Sequence, residues 1–178
     1  MSLSRRYRYV GPAEVRTAVQ PGQVGFRIRG AVDFVTWVMA QTADELADPF
    51  TFVIDTEGFL LLAPRRSEHV ACASAEPVLS AGEMSFQEEG AQWTVDRVSN
   101  QSTGYCPDTA SWPAVAQALE RADLRHPNGF TYGVVFRRCP QCEENNIVRE
   151  EHYVCAFCDA DLPQHWNVDA AAADPQAS

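Results

Sequence analysis

The chain contains no lysine: all 14 of its basic residues are arginine. That removes every lysine nucleophile and every Schiff base from consideration. No apolar run approaches the roughly 18 residues a helix needs to cross a bilayer, so no membrane association is expected. The opening, MSLSRRYRYVGPAE, has arginines with no apolar stretch behind them; no secretory leader is expected, and the cytoplasm is the expected compartment. Histidine is scarce at four, and none stands two residues before a glutamate, which excludes the His-x-Glu of the zinc deaminases. There is no internal repeat beyond two Cys-x-x-Cys pairs, and low complexity is confined to VDAAAADPQAS at the end.

What is present is an ordinary globular composition, 46% hydrophobic and 21% charged over 178 residues. That length suits one sizeable core with a small appendage. Arginine in place of lysine, with abundant alanine, points to a bacterial genome of high GC content. The net charge of -10 is unevenly spread. Residues 1–30 hold Arg5, Arg6, Arg8, Arg16, Arg27 and Arg29 against Glu14 alone, so the remainder is strongly acidic. A solvated face is the plain account of the basic end; docking on an acidic surface or on phosphate is the alternative.

Residues 24–29, VGFRIR, alternate as a strand does. A helix follows with Ala31, Phe34, Val35 and Val38 on its inner face, and the segment closes at Pro49. Two apolar runs flank Asp55-Thr56-Glu57-Gly58, the composition of a hairpin turn. A second hairpin is expected with Met84 and Phe86 opposite Trp93 and Val95, turning at Glu88–Gly90. Ser111 is the expected cap of a helix that accepts Pro113 in its first turn and aligns Val115, Ala118, Leu119 and Ala122. The strand FTYGVVFRR, with Phe130, Tyr132, Val134 and Phe136 inward, then runs into Cys139. The expected fold is α+β: an antiparallel meander sheet with two or three short helices and a C-terminal four-cysteine unit. The expected divisions are a core over 1–138, the cysteine unit integral to it over 139–166, and a disordered tail over 167–178.

Cys139 and Cys142 enclose two residues, as do Cys155 and Cys158, and twelve residues separate the pairs. Each pair can fold as a knuckle presenting two thiolates, with NIV and HYV as strands between them and REE as their turn. Four thiolates in a tetrahedron are a zinc site, and a structural one, because no coordination position stays open for substrate. A thioredoxin-like redox site is the competitor, but it needs one pair at a strand-to-helix junction. Residues 137–162 resemble a zinc ribbon, here in a bacterial protein of uncharacterised family. Such knuckles often carry glycine after the second cysteine where this chain has Glu143 and Asp159, which implies strain, above all at the glutamate. Glu143, Glu144, Glu150, Glu151, Asp159 and Asp161 face only Arg149 across 139–166, so nucleic acid is disfavoured and another protein is the expected partner. Tyr153, Phe157 and Trp166 either contact that partner or pack within the chain.

Arg65, Arg66, His69, Glu83, Asn100, Ser102, Tyr105 and Asp108 form a polar set in the middle of the chain. If they converge, Arg66, His69, Glu83 and Asn100 are the catalytic or ligand-binding candidates, suited to a nucleotide-like anion. Each also has a plain reading as bend, loop or satisfied histidine chemistry. The segment from His69 to Tyr105 is similar to a β-rich domain of bacterial proteins without a settled role, and that similarity transfers no function to a residue. Cys72 and Cys106 read as small buried apolar residues, with a nucleophilic thiol paired to His69 as the alternative. The leading expectation is therefore a zinc-binding cytosolic interaction or regulatory module; the rival is an enzyme or small-ligand binder built on the polar set.

Overall fold

The computed structural model describes residues 4–169. It is α+β, with a five-stranded antiparallel sheet in the order β1-β3-β2-β4-β5. The strands are β1 (Phe26–Ile28), β2 (Phe50–Ile54), β3 (Leu60–Ala63), β4 (Ser80–Glu89) and β5 (Gln92–Val98). Among the described residues five short α-helices accompany them: α1 (Ala13–Thr17), α2 (Ala31–Met39), α3 (Ala43–Leu46), α4 (His69–Cys72) and α5 (Trp112–Arg121). A separate two-stranded sheet joins β6 (Val135–Arg138) to β7 (Asn145–Val148). Among the described residues no helix is long and apolar enough to cross a membrane.

Both faces of the large sheet are covered, which is why β2 and β3 are buried throughout and, Thr51 apart, apolar without alternation. On one face Phe52, Ile54, Leu62 and Phe86 meet Phe34, Trp37 and Val38 of α2 and Val115 and Leu119 of α5. On the other, Val53, Leu61 and Ala81 meet Val70 and Cys72 of α4 together with Tyr105, Phe136 and Trp166. The β2–β3 turn forms as expected. The Asp55 carboxylate accepts from the amides of Glu57 (3.0 Å) and Phe59 (2.9 Å), and Gly58 supplies a φ of +88°.

Several sequence expectations shift at the level of faces and register. On α2 it is Trp37 that turns inward with Phe34 and Val38, while Val35 is 52% exposed. The indole packs edge-on to Phe50 at 4.7 Å, and a large ring in that position leaves no inward place for Val35. In the second hairpin Met84 pairs with Val98, because a bulge between Ser85 and Phe86 displaces the register; Phe86 does oppose Val95. Ser111 does not cap α5: its hydroxyl donates to the Asp108 carbonyl (2.7 Å) and bonds Ser80 Oγ (2.9 Å). The expected inner face of α5 is correct, with Val115, Ala118, Leu119 and Ala122 all buried.

Regular pairing in the segment 130–138 starts only at Val135, and Tyr132 is 58% exposed, whereas Val134 and Phe136 are buried. β6 pairs with β7 and not with the large sheet. What ties them is Asn100, fully buried: its Nδ2 donates to the carbonyls of Pro107 (2.9 Å) and Val134 (2.8 Å), and its Oδ1 accepts from the Val134 amide (2.6 Å). Of the expected disordered tail, Val168 is buried and Asp169 binds Arg8 through both carboxylate oxygens; residues 170–178 lie outside the described residues. Asn100→Ala leaves three buried backbone groups without their partner, at about 1–3 kcal/mol each. A loss of about 3 kcal/mol or more in the unfolding free energy, measured by urea titration, is the expected outcome.

Candidate metal centre

β6 delivers Cys139 to the first knuckle, and β7 leaves it after Cys142. The second knuckle, Cys155 to Cys158, repeats two backbone bonds of the first. The Glu143 amide donates to the Cys139 carbonyl at 3.0 Å, as the Asp159 amide does to that of Cys155 at 3.1 Å. The Cys139 amide donates to the Glu144 carbonyl at 2.9 Å, as the Cys155 amide does to that of Ala160 at 2.8 Å. Both loops need left-handed backbone after their second cysteine, and Glu143 (φ +67°) and Asp159 (φ +61°) adopt it without glycine. The intervening strands differ from expectation. NIV lies in β7 and pairs back onto β6, while HYV contributes only a Val154–Asp161 bridge. Glu150 and Glu151, at φ +51° and +58°, make the turn between them.

The four Sγ atoms lie within 4.8 Å of one another, with Cys139–Cys158 and Cys142–Cys155 both at 3.5 Å, and all four cysteines are free of disulfides. Sulfurs about 2.3 Å from a tetrahedral ion stand just under 4 Å apart, so the cluster can hold a metal ion with little movement. Cys139 and Cys155 are buried, Cys142 and Cys158 half-buried. Hydrogen-bond donors already point at the sulfurs. The Cys142 amide donates to Cys139 Sγ (3.5 Å), and the Phe157 amide and Asn146 Nδ2 to Cys155 Sγ (both 3.4 Å). Burial opposes ionisation of Cys155, yet the amides of Phe157 and Cys158 and the Asn146 side chain bring its pKa down to about 6. The Cys142 amide holds Cys139 low as well. Cys142 sits at about 12, because burial and the neighbouring thiols outweigh the Glu144 amide. The site thus prefers some of its sulfurs charged even before an ion neutralises them.

Sequence reasoning missed two residues that build this centre. Asn146 is buried and braces both knuckles, accepting from the Ala156 amide (2.9 Å) and donating to the Glu144 carbonyl (3.1 Å) besides Cys155 Sγ. Its signal was a polar residue at an inward strand position. Arg137 is buried and donates to the carbonyls of Phe136, Pro163 and Gln164, strapping the segment after the second knuckle onto β6. Trp166 continues that strap by donating to the Cys106 carbonyl at 2.7 Å. Tyr153 lies under the Arg137 guanidinium, and Phe157 is 66% exposed.

The polar candidates do not share a cavity. Arg66 lines one of about 870 Å³ and Glu83 another of about 420 Å³, and neither His69 nor Asn100 lines either. His69 and Asn100 are consumed by backbone: His69 Nε2 bonds the Gly82 carbonyl at 2.8 Å, and Asn100 makes the three bonds described above. Ser102, Tyr105, Arg65 and Asp108 are likewise engaged, with the Tyr105 amide, the Glu76 carbonyl, Asp48 and Arg5 respectively. Burial pushes Cys72 and Cys106 up to about 12, consistent with apolar packing and against a nucleophilic thiol. Compared with family models, curated proteins and solved structures, the chain matches none.

Two outcomes are expected. Asn146→Ala lowers metal affinity about 10- to 100-fold in a chelator competition, the usual effect of removing a group that orients a ligand. Burial holds the pKa of His69 below its ordinary 6.5, so its contribution to stability is complete above that value and is lost as the pH falls below it. Urea midpoints at successive pH values check this: the acid loss shrinks in His69→Gln, which keeps an N–H donor for Gly82.

Proposed function

We propose that Cys139, Cys142, Cys155 and Cys158 hold a structural zinc ion, and that the protein works in the cytoplasm as an interaction module whose partner is another protein. The observation that carries the zinc is the thiolate-only set of four sulfurs within 4.8 Å. Such a soft, tetrahedral donor set suits zinc, and four protein ligands leave no open position for Lewis-acid chemistry. The ion then acts through folding.

The protein partner is supported by the surface. Val32 (79% exposed), Val35 (52%) and Met39 (77%) form a stripe along the outer side of α2. Val24 and Phe26, 49% and 44% exposed, add apolar surface at β1, the edge strand that packs against α2. Large apolar side chains left exposed along one helix face in this way mark contact with another macromolecule. The acidic zinc lobe disfavours nucleic acid in that role, since phosphate meets six carboxylates and one arginine there.

Cys142→Ser is expected to reduce zinc from one ion per chain to none by elemental analysis and to make residues 139–166 protease-sensitive. Metal-linked folding is worth about 10 kcal/mol or more in zinc-finger peptides. Unchanged protease resistance refutes the structural role. For the partner, a photo-crosslinking residue at Met39 is expected to capture one protein at near-stoichiometric yield from native cytosol, and Val35→Glu to abolish that capture. Equal capture by Val35→Glu, or none by either chain, removes the support that the α2 stripe lends.

A further inference from the structure

The bulge between Ser85 and Phe86 sits beside a cleft that the metal centre does not use. Glu83 and Ser85 are two apart on β4 and so share a face of the sheet, the face that at Ala81 still packs against the core. Arg97 is the direct cross-strand partner of Ser85 on β5. Residues 131 and 132 are tied along β5: the Val98 carbonyl accepts from both their amides, and the Val98 amide donates to Thr131 Oγ1 at 2.9 Å. Tyr132 thereby becomes the side wall of a cleft of about 420 Å³, inside the range of small-molecule sites.

Two of its side chains are open to a ligand, and one of them, Ser85, is buried without a described partner. Ser85 is 8% exposed and its Oγ has no hydrogen-bond partner among the described residues. The half-buried Glu83 makes its bonds through backbone alone, amide to Ser99 Oγ and carbonyl from the Ser99 amide, and its carboxylate receives no donor from any described residue. A buried hydroxyl such as that of Ser85 is rarely left without a partner, because the lost bond costs free energy that a ligand recovers. Inside the cleft the Glu83 carboxylate only accepts and the Ser85 hydroxyl can accept as well as donate, so the inner end of the ligand carries N–H donors and positive charge. At the rim the charge reverses. Arg97 is 77% exposed, and its contact with Asp96 at 3.5 Å is a weak surface pair that a ligand carboxylate can replace.

We infer that this cleft binds a small zwitterionic amine, its ammonium group donating to the Glu83 carboxylate and Ser85 Oγ and its carboxylate received by Arg97. Residues diagonal across an antiparallel pair stand about 7–8 Å apart, so the two charged ends are separated by a short apolar chain. The exposed ring of Tyr132 gives that chain a surface to lie against. The site is independent of the zinc and of the α2 stripe.

The test is an amide NMR titration of the full chain with 6-aminohexanoate, with hexylamine and with hexanoate. Saturable shifts at Ser85 and Tyr132 are expected with the zwitterion, and binding at least about tenfold weaker with either single-charge probe, the factor one charge-assisted hydrogen bond supplies. Glu83→Gln, which conserves shape, is expected to weaken 6-aminohexanoate by the same factor. Arg97→Gln, at an exposed position, does likewise. No saturable shift with 6-aminohexanoate overturns the site. Hexylamine binding as tightly as the zwitterion, or unchanged affinity in both variants, overturns the assignment of its two ends.

Discussion

The carboxamide of Asn100 joins two sheets that have no continuous ladder between them. Three short bonds from one fully buried side chain take over where backbone pairing stops, holding the Val134 peptide and the Pro107 carbonyl against the end of β5. Through that joint the position of β6 is set, and through β6 the position of Cys139. Gly82 is part of the same junction: a Cβ there would stand 1.9 Å from the Ser99 carbonyl oxygen, so the close approach of β4 to the chain leading into Asn100 requires glycine. His69, bonding the Gly82 carbonyl, closes the junction from the α4 side.

The metal centre beyond that joint is built under strain. Glu143, Glu150, Glu151 and Asp159 all hold left-handed backbone without being glycine, each at a cost of about 1–2 kcal/mol. A hydrophobic cluster as small as that around Cys139, Val148, Cys155 and Leu162 offsets little of this. Metal–thiolate bonding of the strength proposed exceeds the strain, and the Arg137 and Trp166 straps anchor the lobe to the core from its other end. The near-identity of the two knuckles is a consequence of the same demand. In both, the carbonyl and the amide of the first cysteine are engaged by the loop, which turns the two sulfurs toward one point.

The polar set in the middle of the chain divides by the partners each side chain finds. Asn100, fully buried, and His69, half-buried, became scaffold because backbone carbonyls lay within reach of both. Glu83 stayed free because β4 carries it just past the end of the covered face, where the apolar layer behind Ala81 gives way to a cleft. Residue types alone do not separate these fates. A carboxylate, an imidazole and a carboxamide have the same capacity for chemistry until their surroundings are known.

What the sequence by itself determined were features that depend on neighbours along the chain. These were the spacing of four cysteines, the Asp55–Gly58 turn, the inward face of α5 and the apolar strands of an antiparallel sheet. Each follows from periodicity, turn chemistry or ligand count, and each survives in the folded molecule. Tertiary structure alone decided that Trp37 and not Val35 faces inward, that β7 pairs back onto β6, that Asn146 braces the thiols, and which polar side chains were spent on backbone. Those outcomes rest on contacts between residues far apart in the chain and on the volume available at each place. Neither is encoded in any local window.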